Sequence, residues 1–172
     1  MGVHGNCCRE GGMNMKIISY NLELDEERKP MLVKDFMCDY NVMHPNPESI
    51  YKMMSEVFHA DRLAEERAWL ISMNTKLEPK GIFEVSHGKI NQSLIGIQEI
   101  FTRLLLSGGN HFVIVHNHPS GNPIPSNADY EITNRLIEAG KVMDIKLEDH
   151  IVIGDNSHPY FSMREHEPSI FS

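Results

Sequence analysis

The chain has 172 residues, 41% of them hydrophobic, which is enough to bury the core of one domain of ordinary size. Its formal net charge of −8 argues against nucleic acid as a partner, because broad binding to phosphates requires Lys and Arg clustered on one face. No apolar run reaches the roughly 20 residues that cross a bilayer, the N-terminus lacks the apolar centre of a signal peptide, and three cysteines make no even disulfide framework. We therefore expect a cytoplasmic protein that contacts no membrane.

The first predicted elements are a weak strand and a well-marked helix. Residues 1–45 are polar and irregular in pattern, with a possible strand at residues 16–20, and we treat them as an N-terminal extension. A helix is predicted from Asn46, because an N-cap residue and a first-turn proline precede apolar residues at helical spacing. Its apolar stripe consists of Ile50, Met53, Met54 and Val57. Two strands are predicted next, at residues 68–73 and 81–86.

The second half of the chain alternates helices and strands. A helix is predicted from a cap at Ser93 to residue 107, ended by Gly108 and Gly109. Its predicted apolar face is Ile97, Ile100, Phe101, Leu104 and Leu105. A buried strand at residues 112–115 and a helix from the N-cap Ser126 to Gly140 follow. Strands at residues 145–153 and 160–163 complete the pattern, so residues 46–172 are predicted to form one α/β domain, a mixed β-sheet flanked by helices on its faces.

Two histidines and one aspartate around the loop at residues 119–125 have the spacing of metal ligands. His116 and His118 follow the predicted strand at residues 112–115, and residues two apart on an extended chain point to the same side. Asp129 falls in the first turn of the next helix, where the helix dipole keeps a carboxylate ionised. Two imidazoles and one carboxylate fill three positions of a tetrahedron and leave the fourth for water, as in catalytic zinc sites. The sequence therefore predicts zinc (Zn²⁺) bound by these three residues.

Two other zinc motifs are missing from the sequence. It contains no His-Glu-x-x-His, so it is not a protease that carries both histidines on one helix. It contains no Pro-Cys-x-x-Cys, so it lacks the thiolate ligands of a nucleobase deaminase.

The ligand spacing resembles that of a known family. His116-x-His118-Pro119, followed after six residues by Ser126 and after two more by Asp129, is similar to the metal motif of JAMM (MPN-type) metallopeptidase domains. The strings at residues 88–93, 99–101, 132–133 and 149–154 resemble specifically the RadC family of bacterial JAMM-type proteins. The resemblance implies a JAMM/MPN-like single domain and hydrolysis of a peptide or isopeptide bond in a peptide or protein substrate.

The resemblance also implies two catalytic residues. Glu66, at the start of the first core strand, matches the catalytic glutamate, and Glu65 is the competing choice because a strand start is uncertain by a residue. Ser126 matches the residue whose hydroxyl holds the developing oxyanion. An N-cap uses the lone pairs of a hydroxyl, so capping leaves the proton of Ser126 free to donate.

Two further residues have alternative interpretations. His150 lies inside the last long strand, either as a buried, hydrogen-bonded histidine or as a group behind the metal ligands. Thr133 lies one helical turn beyond Asp129 and either orients its carboxylate or packs in the core.

The predicted function is a zinc-dependent metallohydrolase. Two alternatives stay open: a JAMM-like binding protein in which hydrolysis is vestigial, and a DNA-repair-associated accessory factor, which the acidic composition disfavours. The sequence does not indicate the oligomeric state or which amide bond is cut.

Overall fold

The computed structural model of the protein describes residues 14–41, 45–88 and 96–172. Within these residues, seven strands form one sheet: β1 (Asn14–Leu24), β2 (Pro30–Asn41), β3 (Arg67–Met73), β4 (Pro79–His87), β5 (His111–Asn117), β6 (Lys146–Ile153) and β7 (Tyr160–Ser162). The same part of the chain contains the α-helices α1 (Pro47–Phe58), α2 (Ile97–Ser107), α3 (Asn127–Met143) and α4 (Met163–His166), and 3₁₀ turns lie at Ala60–Arg62 and Pro168–Phe171.

The sheet is mixed, with strand order β2-β1-β4-β3-β5-β6-β7. The pairs β5/β6 and β1/β4 are parallel, and the other neighbours are antiparallel. Strand β5 is therefore paired on both sides, antiparallel to β3 and parallel to β6. The predicted fold class, a mixed α/β sheet with helices, is confirmed.

Alternation along the strands divides the core between the two faces of the sheet. Trp69 and Ile71 of β3 share one cluster with Met54 of α1, whereas Leu70 of the same strand shares the other with Leu104 of α2. Successive residues of a strand point to opposite faces, so β3 contributes to both clusters and is buried on both sides. The helices α1 and α2 thus cover opposite faces of the sheet.

The expectation of an irregular N-terminal region was wrong for residues 14–41. Strands β1 and β2 form a long antiparallel hairpin that contains the predicted strand at residues 16–20. The hairpin joins the main sheet where Ser19 pairs with Ile82 of β4. Its burial is sparse, with Ile17 and Tyr40 as its only large buried side chains among those the structure describes, so cross-strand backbone bonds stabilise it without a strong apolar pattern. The proposed domain boundary after residue 45 stays a prediction.

The predicted start of the second helix and the predicted end of the third were also wrong. Helix α2 begins at Ile97 with Gly96 in the N-cap position, and the predicted cap, Ser93, lies outside the described residues. The helix presents Leu105 to solvent, with 61% of its surface exposed, so this residue does not belong to the predicted apolar face. Its end at Gly108, in the left-handed conformation, is confirmed.

Helix α3 continues past Gly140 to Met143 and ends in a left-handed Asp144. Gly140 serves close packing instead, because a Cβ there would lie 2.3 Å from the carbonyl oxygen of Ile145. The glycine therefore lets the helix approach the chain that leads into β6. Among the described residues, no helix combines the length and apolar character needed to span a membrane.

Candidate metal centre

The two predicted histidine ligands lie where β5 ends. His116 is fully buried, paired with Ala68 of β3 on one side and Val152 of β6 on the other. His118 lies just beyond the strand, where its backbone N–H donates to the carbonyl of Ile153 at 2.9 Å. The central position of β5 therefore fixes the backbone of both residues.

The ring of His118 is oriented by the loop that follows it. Its Nδ1 lies 2.7 Å from the carbonyl oxygen of Asn122. A carbonyl only accepts hydrogen bonds, so Nδ1 carries the proton and Nε2 presents a lone pair. The loop turns sharply at Gly121, which has a φ of +81° and whose N–H donates to the carbonyl of His118 at 2.9 Å. A Cβ at this glycine would also lie 2.7 Å from Oδ2 of Asp155, so the turn requires glycine.

Asp129 is the third residue of α3, as predicted, and it shares a capping box with Ser126. Its Oδ2 accepts from both the backbone N–H and the hydroxyl of Ser126, each at 2.7 Å. The Ser126 oxygen accepts from the Asp129 N–H at 3.3 Å. The expectation of a free Ser126 proton was wrong, because a carboxylate only accepts and the hydroxyl proton is therefore donated to Asp129.

The three predicted ligands converge on one point. Nε2 of His116 lies 3.1 Å from Nε2 of His118 and 3.3 Å from Oδ1 of Asp129. Nε2 of His118 lies 3.6 Å from Oδ2 of Asp129. Metal–ligand bonds of 2.0–2.2 Å in a tetrahedron separate the ligand atoms by roughly 3.3–3.6 Å. The donor types and their separations therefore fit zinc, while the assignment of individual roles stays a prediction.

Glu66 lies beside these ligands. A carboxylate oxygen of Glu66 and one ring nitrogen each of His116 and His118 lie within 4.8 Å of one another, a group that could itself hold a metal ion. Continuing the β3/β5 register past Arg67 brings Glu66 opposite His118. The competing Glu65 is exposed and its carboxylate binds His87 instead.

Asn117 is a functional candidate that the sequence analysis missed. It lies between the two histidines, almost fully buried, and its side chain reaches across to the chain around Glu66. Its Oδ1 accepts from the N–H of Arg67 at 2.8 Å, and its Nδ2 donates to the carbonyl of Glu65 at 3.1 Å. The two bonds hold the backbone on both sides of Glu66. Strand alternation could have indicated this role of Asn117. If His116 and His118 point to one side of the strand, the residue between them points to the other side, away from the predicted metal.

The charges of the centre favour a bound cation. Burial opposes ionisation of Asp129, but the neighbouring His116 and His118 rings and the hydrogen bond from Ser126 outweigh it and hold the pKa of this carboxyl well below its usual range. Burial lowers the pKa of His118, but Asp129 and the Asn122 carbonyl outweigh that effect and leave it raised. The site thus presents an ionised carboxylate toward two imidazoles.

Behind His116 lies a second buried histidine. Nδ1 of His116 is 2.9 Å from Nε2 of His150, whose Nδ1 is 2.6 Å from the hydroxyl of Thr133. Burial, and then His116, lower the pKa of His150 to about 3, so its ring is neutral. His150 is therefore both a buried histidine and a neighbour of a predicted ligand. Of the two alternatives for Thr133, direct contact with the carboxylate is not observed, because its hydroxyl donates to the backbone carbonyl of Asp129 at 2.6 Å.

The fold and these contacts define an α/β domain with a candidate metal centre at the end of its central strand. Comparison with protein families matches residues 44–168 to the RadC-like JAB domain. The chain therefore belongs to the family of RadC-like JAB domains, which confirms the predicted RadC resemblance and the JAMM/MPN-like fold.

Curated relatives are similar over 60–70% of the chain. A UPF0758 protein of Desulfitobacterium hafniense is 36% identical over 121 residues, which cover 70% of this chain and 51% of that protein. A UPF0758 protein of Desulforudis audaxviator is 41% identical over 104 residues, covering 60% and 44% respectively. A UPF0758 protein of Clostridium botulinum is 44% identical over 103 residues, with the same coverage of 60% and 44%. The chain spans about half the length of the curated relatives it matches.

Proposed function

We propose that the protein is a zinc-dependent metallohydrolase that cleaves a peptide or isopeptide bond. The observation that carries the proposal is the convergence of His116, His118 and Asp129, at separations that fit a tetrahedral ion, with the Glu66 carboxylate beside them. Three protein ligands leave a fourth position, which separates catalytic zinc sites from structural ones. When bound, zinc supplies a Lewis acid that polarises the substrate carbonyl and lowers the pKa of a water toward roughly 7.

Glu66 handles the protons of the reaction. Its carboxylate accepts the proton of the attacking water and delivers it to the leaving amine, a type of transfer that typically contributes about 10² to 10⁴ in rate. The role requires a carboxylate at a fixed distance from the ligands, and the two hydrogen bonds of Asn117 to the flanking backbone support that requirement. Glu65 is unsuited to the role because its carboxylate binds His87.

Ser126 stabilises the oxyanion that develops on the substrate carbonyl. To do so its hydroxyl turns from Oδ2 of Asp129 toward the substrate, while the backbone N–H of Ser126 keeps its own bond to the same oxygen at 2.7 Å. Asp129 therefore retains one donor when the hydroxyl rotates, which limits the cost of the change.

The substrate in this proposal is a peptide or protein, and the compartment is the cytoplasm. The three cysteines of the chain suit a reducing environment better than an even disulfide framework. Nucleic acid is disfavoured by the net charge of −8.

Metal analysis combined with an activity screen tests the proposal. Wild type, Glu66→Gln and Glu65→Gln are purified, their zinc content is measured by native mass spectrometry, and each is assayed on linear fluorogenic peptides and on lysine-linked isopeptide probes. We expect about one zinc per chain in all three proteins and cleavage by wild type and Glu65→Gln only. Equal cleavage by the Glu66→Gln and wild-type proteins would remove Glu66 from the mechanism.

A second candidate is a zinc-containing binding protein in which hydrolysis is vestigial. The engaged Ser126 proton favours it, because the hydroxyl is occupied by Asp129 in this structure. Zinc in the wild type, with no cleavage of any probe and no difference from Glu66→Gln, would select this candidate over the hydrolase.

A further inference from the structure

A buried chain of hydrogen bonds runs from the candidate metal centre into the core. It passes from His116 to His150 and then to Thr133, with distances of 2.9 Å and 2.6 Å between the bonded atoms. All three residues are fully buried. The chain ends at the backbone carbonyl of Asp129, 2.6 Å from the Thr133 hydroxyl. It therefore begins at one predicted ligand and ends at the backbone of another.

The last bond fixes the direction of the others. A carbonyl oxygen only accepts, so the single hydroxyl proton of Thr133 is donated to Asp129. The same hydroxyl oxygen must then accept from Nδ1 of His150. A neutral imidazole carries one proton, so Nε2 of His150 is a bare acceptor.

The bare nitrogen of His150 in turn determines the tautomer of His116. Nδ1 of His116 must donate to it, because two bare nitrogens 2.9 Å apart would have no hydrogen bond between them. The bare Nε2 atoms of His116 and His118 differ, because they share the proposed metal site with Asp129. A neutral His116 with its proton on Nδ1 presents the lone pair of Nε2 toward His118 and Asp129. The opposite direction of the chain would place the proton on Nε2 and block metal ligation.

We infer that His150 and Thr133 are positioning residues that hold His116 in the tautomer able to bind the metal. The inference rests on the proposed zinc site, and it adds that a neutral histidine occupies the place where metal-bound histidines usually contact a carboxylate or a carbonyl. The register of β5 and β6 places the rings of His116 and His150 next to each other on one face of the sheet. Ile114 pairs with His150 and His116 pairs with Val152, so the two histidines are diagonal neighbours. Thr133 belongs to α3, the helix that covers this face of the sheet, and it provides the last group in the chain of hydrogen bonds.

Nitrogen NMR of the histidine rings tests the inference directly. Two-bond ¹H–¹⁵N spectra of the labelled wild-type protein, recorded metal-free and with zinc, report which ring nitrogen carries each proton. We expect His150 to be protonated on Nδ1 and bare on Nε2 in both states. His150 protonated on Nε2 would overturn the inference, because His116 could then not donate to it.

Zinc affinity of matched variants provides a second readout. Thr133→Val keeps the shape but removes the hydroxyl, and we expect about 10-fold to 100-fold weaker zinc binding in a competition titration with a chromogenic chelator. Thr133→Ser keeps the hydroxyl and should bind zinc as wild type does. Ser72→Ala is the control for loss of a buried hydroxyl. The Ser72 hydroxyl bonds the Ser107 hydroxyl, with 2.7 Å between the two oxygens, and contacts none of the predicted ligands.

Substitutions of His150 separate hydrogen bonding from packing. His150→Gln offers an amide oxygen that can accept from His116, whereas His150→Leu offers no acceptor and leaves a buried N–H unpaired. We expect the glutamine variant to bind zinc more tightly than the leucine variant. Equal affinities of the two variants, or weakening by Ser72→Ala as large as that by Thr133→Val, would overturn the inference.

The two proposals fail in different ways. A wild-type protein that takes up no zinc would refute the proposed function. The tautomer of His150 in the metal-free spectrum would still decide whether the chain of hydrogen bonds runs in the inferred direction.

Discussion

Replacing Ser126 with alanine tests two roles of one hydroxyl. The change removes the bond that the hydroxyl accepts from the N–H of Asp129, at 3.3 Å, and the bond that it donates to Oδ2, at 2.7 Å. It leaves the bond from the Ser126 N–H to Oδ2, at 2.7 Å, because that donor belongs to the backbone. Asp129 therefore remains held to the start of α3 in the variant.

The two losses differ in size. Loss of an N-cap costs about 1 kcal/mol of stability. The loss in Ser126→Ala should be no larger, because the capping bond from the Asp129 N–H is long, at 3.3 Å, and the bond from the Ser126 N–H to Oδ2 remains. In a chain of this length, about 1 kcal/mol lowers Tm by roughly 2–4 °C. Loss of an oxyanion donor slows turnover by about 10² to 10³, equivalent to roughly 2.7–4 kcal/mol. The effect on rate should therefore exceed the effect on stability.

Thermal unfolding and kcat on a cleaved probe measure the two effects side by side. Ser126→Thr keeps the hydroxyl and should retain most of both properties. Asn46→Ala is the matched capping control, because Asn46 and Ser49 form the same reciprocal box at α1, with bonds of 2.8 and 2.9 Å, and bind no predicted ligand. It should lower Tm similarly and leave kcat unchanged.

Full turnover in Ser126→Ala, together with the expected drop in Tm, would refute the oxyanion role and reduce Ser126 to a cap. Sequence reasoning suggests Ser126→Asp as a variant that restores the cap without the donor. The structure argues against it, because the new carboxylate would lie against Oδ2 of Asp129, where the serine hydroxyl now donates. We expect that variant to be less stable than Ser126→Ala.

Four further predictions concern pH, packing, positioning and DNA. Zinc affinity should fall as pH drops through the pKa of His118, because the metal binds the neutral ring. The pKa of His118 is raised, so this loss of affinity should begin above the ordinary pKa of about 6.5. A competition titration from acidic to neutral pH measures the affinity, and an affinity independent of pH would contradict the prediction. Gly140→Ala should cost about 1–3 kcal/mol by denaturant unfolding, since its Cβ would lie 2.3 Å from the Ile145 carbonyl oxygen, whereas Asn134→Ala on the exposed face of the same helix should change little. Asn117→Ala should retain zinc but lose on the order of 10² in turnover, because the proposed catalytic residue, Glu66, loses both backbone anchors; unchanged kcat would refute this. Duplex DNA should bind weakly at physiological salt, since the chain has 24 acidic and 16 basic side chains; submicromolar binding that weakens steeply with salt, measured by fluorescence anisotropy, would favour the accessory-factor alternative.

The predicted ligand set depends on local rules, which explains why the sequence was informative there. Strand alternation relates His116 to His118, and helix capping relates Ser126 to Asp129, so each pair is fixed within four residues. The loop between them contains the glycine and prolines that a sharp turn requires. The class of fold followed from the alternation of helices and strands, which is a local pattern as well.

Other features depend on residues far apart in the chain. The extent of the N-terminal hairpin rests on pairing between β1 and β2, whose apolar pattern is weak because few of its side chains are buried. The end of α3 beyond Gly140 depends on the close approach of Ile145, which composition alone does not reveal. The low helix propensity of glycine predicted a helix end at Gly140, whereas in the structure this glycine lies inside α3 and allows close packing against Ile145.

The sequence by itself therefore determined the predicted ligands, their donor chemistry and the elements that carry them, because strand periodicity and capping act between near neighbours. Only the tertiary structure decided which groups surround those ligands. The β3/β5 register brings Glu66 to the centre and Asn117 to its backbone, and the β5/β6 register sets His150 behind His116. These contacts join residues 34 to 52 positions apart, and cross-strand pairing at such separations is selected by burial of the whole sheet rather than by any local pattern.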